Sequence, residues 1–506
     1  MRTKVVTWLC LVVLLLSAAC FLGFRFFTTV DGPMHVLAAY LSEPANAQLH
    51  HARGFSYFPT EGSLLGQWII RGLLLVAGPV RAHDLVAVIV VGAWVISLYA
   101  FLRAYGVRPG ASFLWVAPLT FSNLLIMGLF HFMLAVAIAF LAVAWWKWNG
   151  CSIWARWGGL LLGLCLAALT HRSGLLLAAT LFLPSFLQER YARGALRATS
   201  RSLGLVAGLV CLLVIAGTLL ARSIGLSDPA SEFRTISDGF YLRPLFLFDR
   251  EEERPWISLI GVGLLVAIVA GVFGRWRLGR RILWHDATII LALLFFGVAY
   301  VGNSWKGRQF LIADRAQWMA LTLLVLWLTA LAAEIPARVR AVIAGTAILA
   351  LPLHAIRVHK AEAYLAPLRV EHEALLEGGA ALEPGGLVLC VLTGGDRMLQ
   401  HHTAYLAMRY TGVLISPRDQ LPILEPGSWK TQRRFRRLFR DPHWVMRHWR
   451  ERLPTEVDQL LFVGRNVERT IASHPWPTLL GGHFEAMFTN ERAVVFARQL
   501  HGDGRK

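Results

Sequence analysis

One repeated pattern leaves this chain few possible folds: runs of about twenty apolar residues, separated by short segments rich in arginine and tryptophan. A helical run of that length matches the hydrocarbon core of a bilayer. Inside lipid every backbone N–H and C=O must be paired within the protein, so only helices and closed barrels can span it. The runs here are continuous rather than alternating, which selects helices. Charge content agrees: 16% of the 506 residues are charged and 56% are hydrophobic, against roughly 25% charged in an average soluble domain. The fold class predicted is an α-helical polytopic membrane protein with about eleven spanning helices and a small C-terminal α/β domain.

The predicted spans are 5–27, 84–103, 112–128, 131–147, 157–170, 174–188, 202–221, 256–274, 285–302, 317–335 and 339–357. The first run exceeds the apolar core of a signal peptide, so it is read as an uncleaved span. The segment Gly62–Val80 carries Gln67 and Arg71 and suits a helix lying at the membrane interface. Gly158–Leu187 is read as a hairpin with Thr170-His-Arg-Ser-Gly174 at its tip. Only then do Arg190, Arg193, Arg197 and Arg201 fall on the same side as Arg2 and Lys4. With those choices Arg103, Arg108, Lys147, Arg156, Arg275, Arg277, Arg280, Arg281, Arg338 and Arg340 also become cytoplasmic, which is the positive-inside pattern. These clusters account for the formal net charge of +19 without nucleic acid as a partner. Tryptophans 145, 146, 148, 154 and 157 crowd one cytoplasmic turn as headgroup anchors. Six cysteines with no CxxC spacing suggest neither a disulfide framework nor a metal site.

The threading places the loop 28–83, the hairpin tip at His171, the loops 222–255 and 303–316, and all residues after 358 on the outer face. It divides the chain into a transmembrane domain, 1–358, and an extracytoplasmic domain, 359–506. Glu371-His-Glu373, Gly378-Gly379 and Pro384-Gly-Gly386 read as a linker. Leu387–Leu392, Gly412–Ile415, Gln459–Val463 and Ala493–Ala497 read as short buried strands, and Leu399–Tyr410 as a helix. The basic, apolar-interleaved run Lys430–Arg440 suits either an anionic membrane surface or a solvated helix face. His401-His402 precedes a helix and receives no role.

The densest polar constellation is Thr28-Thr-Val-Asp-Gly-Pro-Met-His35, immediately after the first span. Asp31 there either opens a Gly32-Pro33 turn and caps a helix beginning near His35, or is a functional carboxylate at the membrane edge. His50, His51 and Arg53 follow in the same long loop, and a loop of that length calls for a purpose.

Asp31-Gly-Pro-Met-His35, Gly128-Leu-Phe-His-Phe132, Thr170-His-Arg-Ser-Gly174 and Asp314-Arg315, set in a many-spanned body with a long first outer loop, resemble the GT-C superfamily of membrane glycosyltransferases. The likeness is to a bacterial branch with a C-terminal extracytoplasmic domain. It implies an enzyme of the inner (plasma) membrane that moves a sugar from a polyprenyl-phosphate-linked donor to a glycan, lipid or protein acceptor, with membrane lipids as further partners. Such a transfer needs a base on the acceptor and stabilisation of the departing phosphate. Asp31 is the candidate base. His171, Arg172, Lys306, Arg308 and Arg315 are the outer-facing cations for the phosphate, and His35 and His131 complete the candidate substrate-binding set. No cofactor is expected. Some relatives pair the catalytic Asp with a second acid around a divalent metal; here Gly32 follows Asp31 and the next acid is Glu43, which favours a metal-free reaction. The alternatives from other classes are a transporter, a scramblase or a non-catalytic envelope-assembly subunit. A carrier needs ionisable groups within its spans, and the predicted spans hold few.

The threading predicts that, in intact cells, a membrane-impermeant thiol reagent labels a cysteine placed at Thr60 and spares one placed at Ser200. Equal labelling of the two overturns the assignment of sides.

Overall fold

The computed structural model describes residues 2–46, 48, 55–57, 63–148, 150–171, 173–182, 242–248, 250–278, 284–304, 312–393, 396–399, 401–409, 413–415, 424–426, 457–473 and 476–499. Along the chain the principal elements are α1 (Arg2–Ala18), α2 (Gly32–Leu41), β1 (Phe55–Tyr57), α3 (Leu64–Leu74), α4 (Pro79–Ala104), α5 (Phe130–Lys147), α6 (Ile153–Thr170), α7 (Arg250–Arg277), α8 (Asp286–Ser304), α9 (Ile312–Ala332), α10 (Ala337–Leu365) and α11 (Leu368–Ala380). There follow β2 (Leu387–Thr393), α12 (Thr403–Arg409), β3 (Val413–Ile415), β4 (Leu424–Pro426), β5 (Gln459–Gly464), β6 (Phe484–Thr489) and β7 (Ala493–Arg498). They form two compact units, one from 1–23 and 87–361 and the other from 24–86 and 362–506.

The protein is an α-helical polytopic membrane protein. Among the described residues six helices are long and apolar enough to cross a membrane: Pro79–Ala104, Phe130–Lys147, Ile153–Thr170, Glu251–Arg277, Ile312–Ala332 and the run Ala337–Ala380. The predicted span 202–221 and the end of 174–188 lie outside the described residues.

In the first unit α9 is the central helix. From Trp318 onward it carries no charged residue on any side and is buried throughout, which suits a helix with no lipid-facing surface, and Trp318 and Trp327 are fully buried on it. Trp318 meets Trp94 of α4 at 4.8 Å between ring centroids, and Phe101 of α4 meets Phe140 of α5 edge-on at 5.2 Å. The backbones of α5 and α6 approach so closely that a Cβ on Gly163 would lie 2.4 Å from the Ala142 methyl, the use membrane helices make of small residues. Beyond Thr170 the chain reverses as the hairpin reading expects. Phe182 packs against the cluster of Ala142, Trp146 and Leu160, at the far end of α6 from the tip.

Two predicted spans differ. The run 5–27 is helical only to Ala18 and tightens into a 3₁₀ turn over Cys20–Gly23. The aromatics that lengthened it, Phe26 and Phe27, are buried in the second unit, and hydropathy does not distinguish burial in protein from burial in lipid. The run 112–128 is broken into a 3₁₀ turn at Ala111–Val116 and two single helical turns, Ala117–Thr120 and Asn123–Ile126. Phe121 leaves helical geometry between them. The guanidinium of Arg357 on α10, wholly buried, donates to the carbonyls of Pro118 at 3.2 Å and Phe121. Beside it Ser17 Oγ lies 2.9 Å from both Thr120 Oγ1 and His354 Nε2. Irregular backbone at membrane depth is tolerated where protein groups satisfy it in this way.

The second unit is built on a five-stranded sheet of order β3-β2-β5-β7-β6, parallel across β3, β2 and β5 and antiparallel from β5 to β7 to β6. Four of these strands are those expected; β6, mostly exposed, lacks the buried run that would reveal it. The expected linker is instead largely α11, which buries Leu368, Glu371 and Leu375 and brings Gly378 against Leu461 and Ala493. Gly378-Gly379 reads as flexible in sequence because the reason for a small residue there is Leu461 and Ala493 on strands far along the chain. Residues 24–86 belong to this unit: β1 pairs antiparallel with β4, and α2 packs on α3 and α12. At 11 residues α3 is too short to span; it buries Gly66, Gln67 and Ile70 and exposes Trp68, as an interfacial helix would.

Replacing Arg357 by Leu is expected to cost about 3 kcal/mol, since two buried carbonyls lose a charged donor. Arg357→Lys, with one point of donation in place of a fork, restores only part of it. Thermal unfolding in detergent is the measurement, and an unchanged midpoint for Arg357→Leu would contradict the bracing role.

Candidate functional site

The segment 28–31 enters α2 by an unusual division of labour. Asp31 occupies the N-cap position, yet its side chain makes no capping hydrogen bond. The Gly32 N–H donates instead to Thr29 Oγ1 at 3.1 Å. Helix α2 starts at Gly32 with Pro33 in its first turn, so Gly-Pro is the first helical turn rather than a turn before a helix near His35. Proline is suited to that position because it has no N–H to leave unpaired. A Cβ at Gly32 would lie 2.2 Å from Thr29 Oγ1 and 2.4 Å from the His83 ring, so the hydroxyl and imidazole dictate glycine there.

The threonines are each tied to a histidine distant in sequence. Thr29 Oγ1 is 2.9 Å from His83 Nε2, whose Nδ1 lies 3.2 Å from Asp84 Oδ1. Thr28 Oγ1 is 2.6 Å from His402 Nε2, and His402 Nδ1 is 2.9 Å from His372 Nδ1. The His402 ring also stacks edge-on against His372 and Tyr405. Asp31 Oδ1 lies 3.5 Å from His401 Nε2, with the carboxylate side chain 38% exposed and the imidazole 13%. Beyond His372 a small cavity with about 10 Å³ of room, enough for one water, is closed by Leu392, Val463 and Gly464 at the ends of β2 and β5.

Burial pushes the His402 imidazole well below the usual histidine range, and the neighbouring His372, His83 and His401 push it the same way. A bond between two ring nitrogens needs a single shared proton, so His402 and His372 are complementary neutral tautomers. Protonating both would set two N–H donors face to face.

Of the residues expected from sequence, Asp31 and His35 stand one helical turn apart, with the His35 N–H donating to the Asp31 carbonyl at 3.2 Å. His171 and Arg315 meet in the first unit at Phe132. The His171 ring meets Phe132 edge-on at 5.7 Å, the Arg315 guanidinium lies 5.3 Å from the same ring, and His131 is its buried chain neighbour. His171 is further held by Ser173 Oγ at 2.7 Å from its Nδ1, and Asp314 beside Arg315 is buried. Arg172, Lys306 and Arg308 lie outside the described residues. Sequence reading missed Thr28, Thr29, His83, His372, His401 and His402 as one constellation. The tandem His401-His402 was the visible signal, but its partners lie 30 to 374 residues away. Among the described residues no group of three or more His, Cys, Asp or Glu side chains is arranged to hold a metal ion.

No family model and no curated protein matches the chain. Two solved structures align with nearly all of it. One is the crystal structure of ArnT from Cupriavidus metallidurans bound to undecaprenyl phosphate, at 12% identity and a TM-score of 0.38 over 97% of this chain and 98% of that one. The other is the apo state of the same protein, at 11% identity and 0.39 over 98% of each.

Because His402 is neutral when folded and its ordinary pKa is about 6.5, the unfolded chain binds the extra proton first as pH falls. The contribution of His402 to stability is therefore present above about pH 6.5 and lost below it. The thermal midpoint is expected to fall between pH 7.5 and 5.5. His402→Gln lowers it at pH 7.5 and flattens that decline; an equal slope in the variant would show that the loss lies elsewhere.

Proposed function

We propose that the protein is a membrane glycosyltransferase that moves a sugar from a polyprenyl-phosphate donor to an acceptor hydroxyl at the extracytoplasmic face, with Asp31 as general base. The observation that carries the reading is the release of the Asp31 carboxylate from helix capping. Thr29 takes the capping bond, so an acidic side chain at the start of α2 stays part-exposed and available. A residue needed only as a cap would have spent its oxygen on the helix.

The reaction runs by direct displacement. The acceptor oxygen forms a bond to the anomeric carbon as its proton passes to the Asp31 carboxylate. The bond from that carbon to the phosphate oxygen breaks, its electron pair leaves with the lipid phosphate, and configuration inverts. A base placed in this way contributes about 10²- to 10⁴-fold. For the lipid phosphate the candidate cations are those the sequence resemblance implies: Arg315 and His171, which share contact with the Phe132 ring, with Arg172, Lys306 and Arg308, while His35 and His131 are the further candidate substrate contacts. The displacement as written draws on no metal ion, and among the described residues the Asp31 carboxylate faces the His401 imidazole.

The test uses the purified full chain in lipid nanodiscs with a panel of undecaprenyl-phosphate-linked hexoses and pentoses and extracted envelope lipid and glycan as acceptors. Asp31→Asn is expected to reduce sugar transfer by about 10²- to 10⁴-fold while remaining folded. Transfer at the unmodified rate would remove Asp31 from the mechanism.

A further inference from the structure

We propose that His401 is the positioning partner of Asp31, so that the segment opening α12 belongs to the catalytic site. The inference rests on the reading of Asp31 as the base. Two short stretches of chain, 28–31 and 401–402, are clamped together at two points: His402 to Thr28 at 2.6 Å and His401 to Asp31 at 3.5 Å. The first contact is buried and rigid. His402 is held on its other side by His372 and by the Tyr405 ring, and its carbonyl accepts from the Tyr405 N–H in the first turn of α12. Its chain neighbour therefore has little freedom, and the His401 carbonyl is itself fixed by the Ala404 N–H at 3.1 Å. The imidazole of His401 is thus delivered to one carboxylate oxygen, Oδ1, by a scaffold that does not depend on that contact.

The consequence for the chemistry is directional. An N–H from Nε2 directed at Oδ1 holds the carboxylate plane in one orientation and leaves Oδ2 to receive the proton of the acceptor hydroxyl. The separation of 3.5 Å is long for a hydrogen bond, and catalytic bonds of this kind commonly tighten when substrate binds. Among the described neighbours in the same segment, Thr29 is committed to the Gly32 N–H, and His83 to Thr29 and Asp84.

The experiment is a double-mutant cycle on the full chain in nanodiscs, with the undecaprenyl-phosphate sugar that wild type turns over. His401→Ala is expected to lower kcat by about 10- to 100-fold, the cost of a misplaced catalytic group, with KM for the lipid donor unchanged. His401→Gln, which keeps a side-chain donor, recovers part of the loss. In an Asp31→Asn background His401→Ala adds nothing further. Wild-type kcat in His401→Ala alongside an impaired Asp31→Asn overturns the proposal and leaves the base in place. So does a rise in KM alone, or a full second loss in the double variant. An unimpaired Asp31→Asn, or a wild type that turns over no member of the panel, removes the base and the role of His401 with it. If His401→Ala does not fold, His401→Gln and His401→Asn are judged on the same kcat and KM criteria.

Discussion

A single buried guanidinium makes the membrane unit possible in its present form. Arg357 sits wholly inside an apolar bundle, where an unpaired charge would cost several kcal/mol. It is tolerated because the broken segment 111–126 presents carbonyls that have lost their helical donors, at Pro118 and Phe121. Each irregularity answers the other. The break needs a forked donor at depth, and the charge needs oxygens in a fixed arrangement. Ser17, Thr120 and His354 extend the exchange to α1, so three segments far apart in sequence are joined at one polar node, and α9 fills the apolar interior beside it.

The second unit uses polar groups differently. Its ladder of threonines and histidines does not repair a break; it fixes the direction of a chain entering a helix. Thr29 relieves Asp31 of its local duty, and His402 and His83 hold the threonines. Each buried hydrogen bond in such a chain is worth about 1 kcal/mol when made and about 1–3 kcal/mol when one partner is removed. A lost member therefore costs more than its own contribution.

The long apolar helices were legible because their signal is local: twenty residues of one character announce themselves without reference to the rest of the chain. So were β2, β5 and β7, whose buried runs are bounded by turn residues, and so was the hairpin at His171, which charge balance demanded. What was not legible depended on partners. The run 112–128 has the composition of a span, and only Arg357, more than 230 residues on, shows why it is broken. Glu371-His-Glu373 looks like a solvated linker until Glu371 meets Arg465 and His372 meets His402. Asp31 stood out through its setting beside Gly-Pro at the end of an apolar run. Its companion His401 did not, because a histidine pair before a short helix carries no pattern of its own.

The second unit is assembled from the two ends of the chain, and this has a consequence for biosynthesis. Thr28 and its partner His402 are 374 residues apart. At roughly 5–20 residues per second the second arrives about 20–75 seconds after the first. Throughout that interval the helices between them are synthesised and inserted while the Asp31 segment lacks the contacts that orient it. Sequence separation thus acts as a timer: a nascent or truncated chain can occupy the membrane, but the contacts of Thr28 and Asp31 with His402 and His401 form only once the last third of the protein is being made.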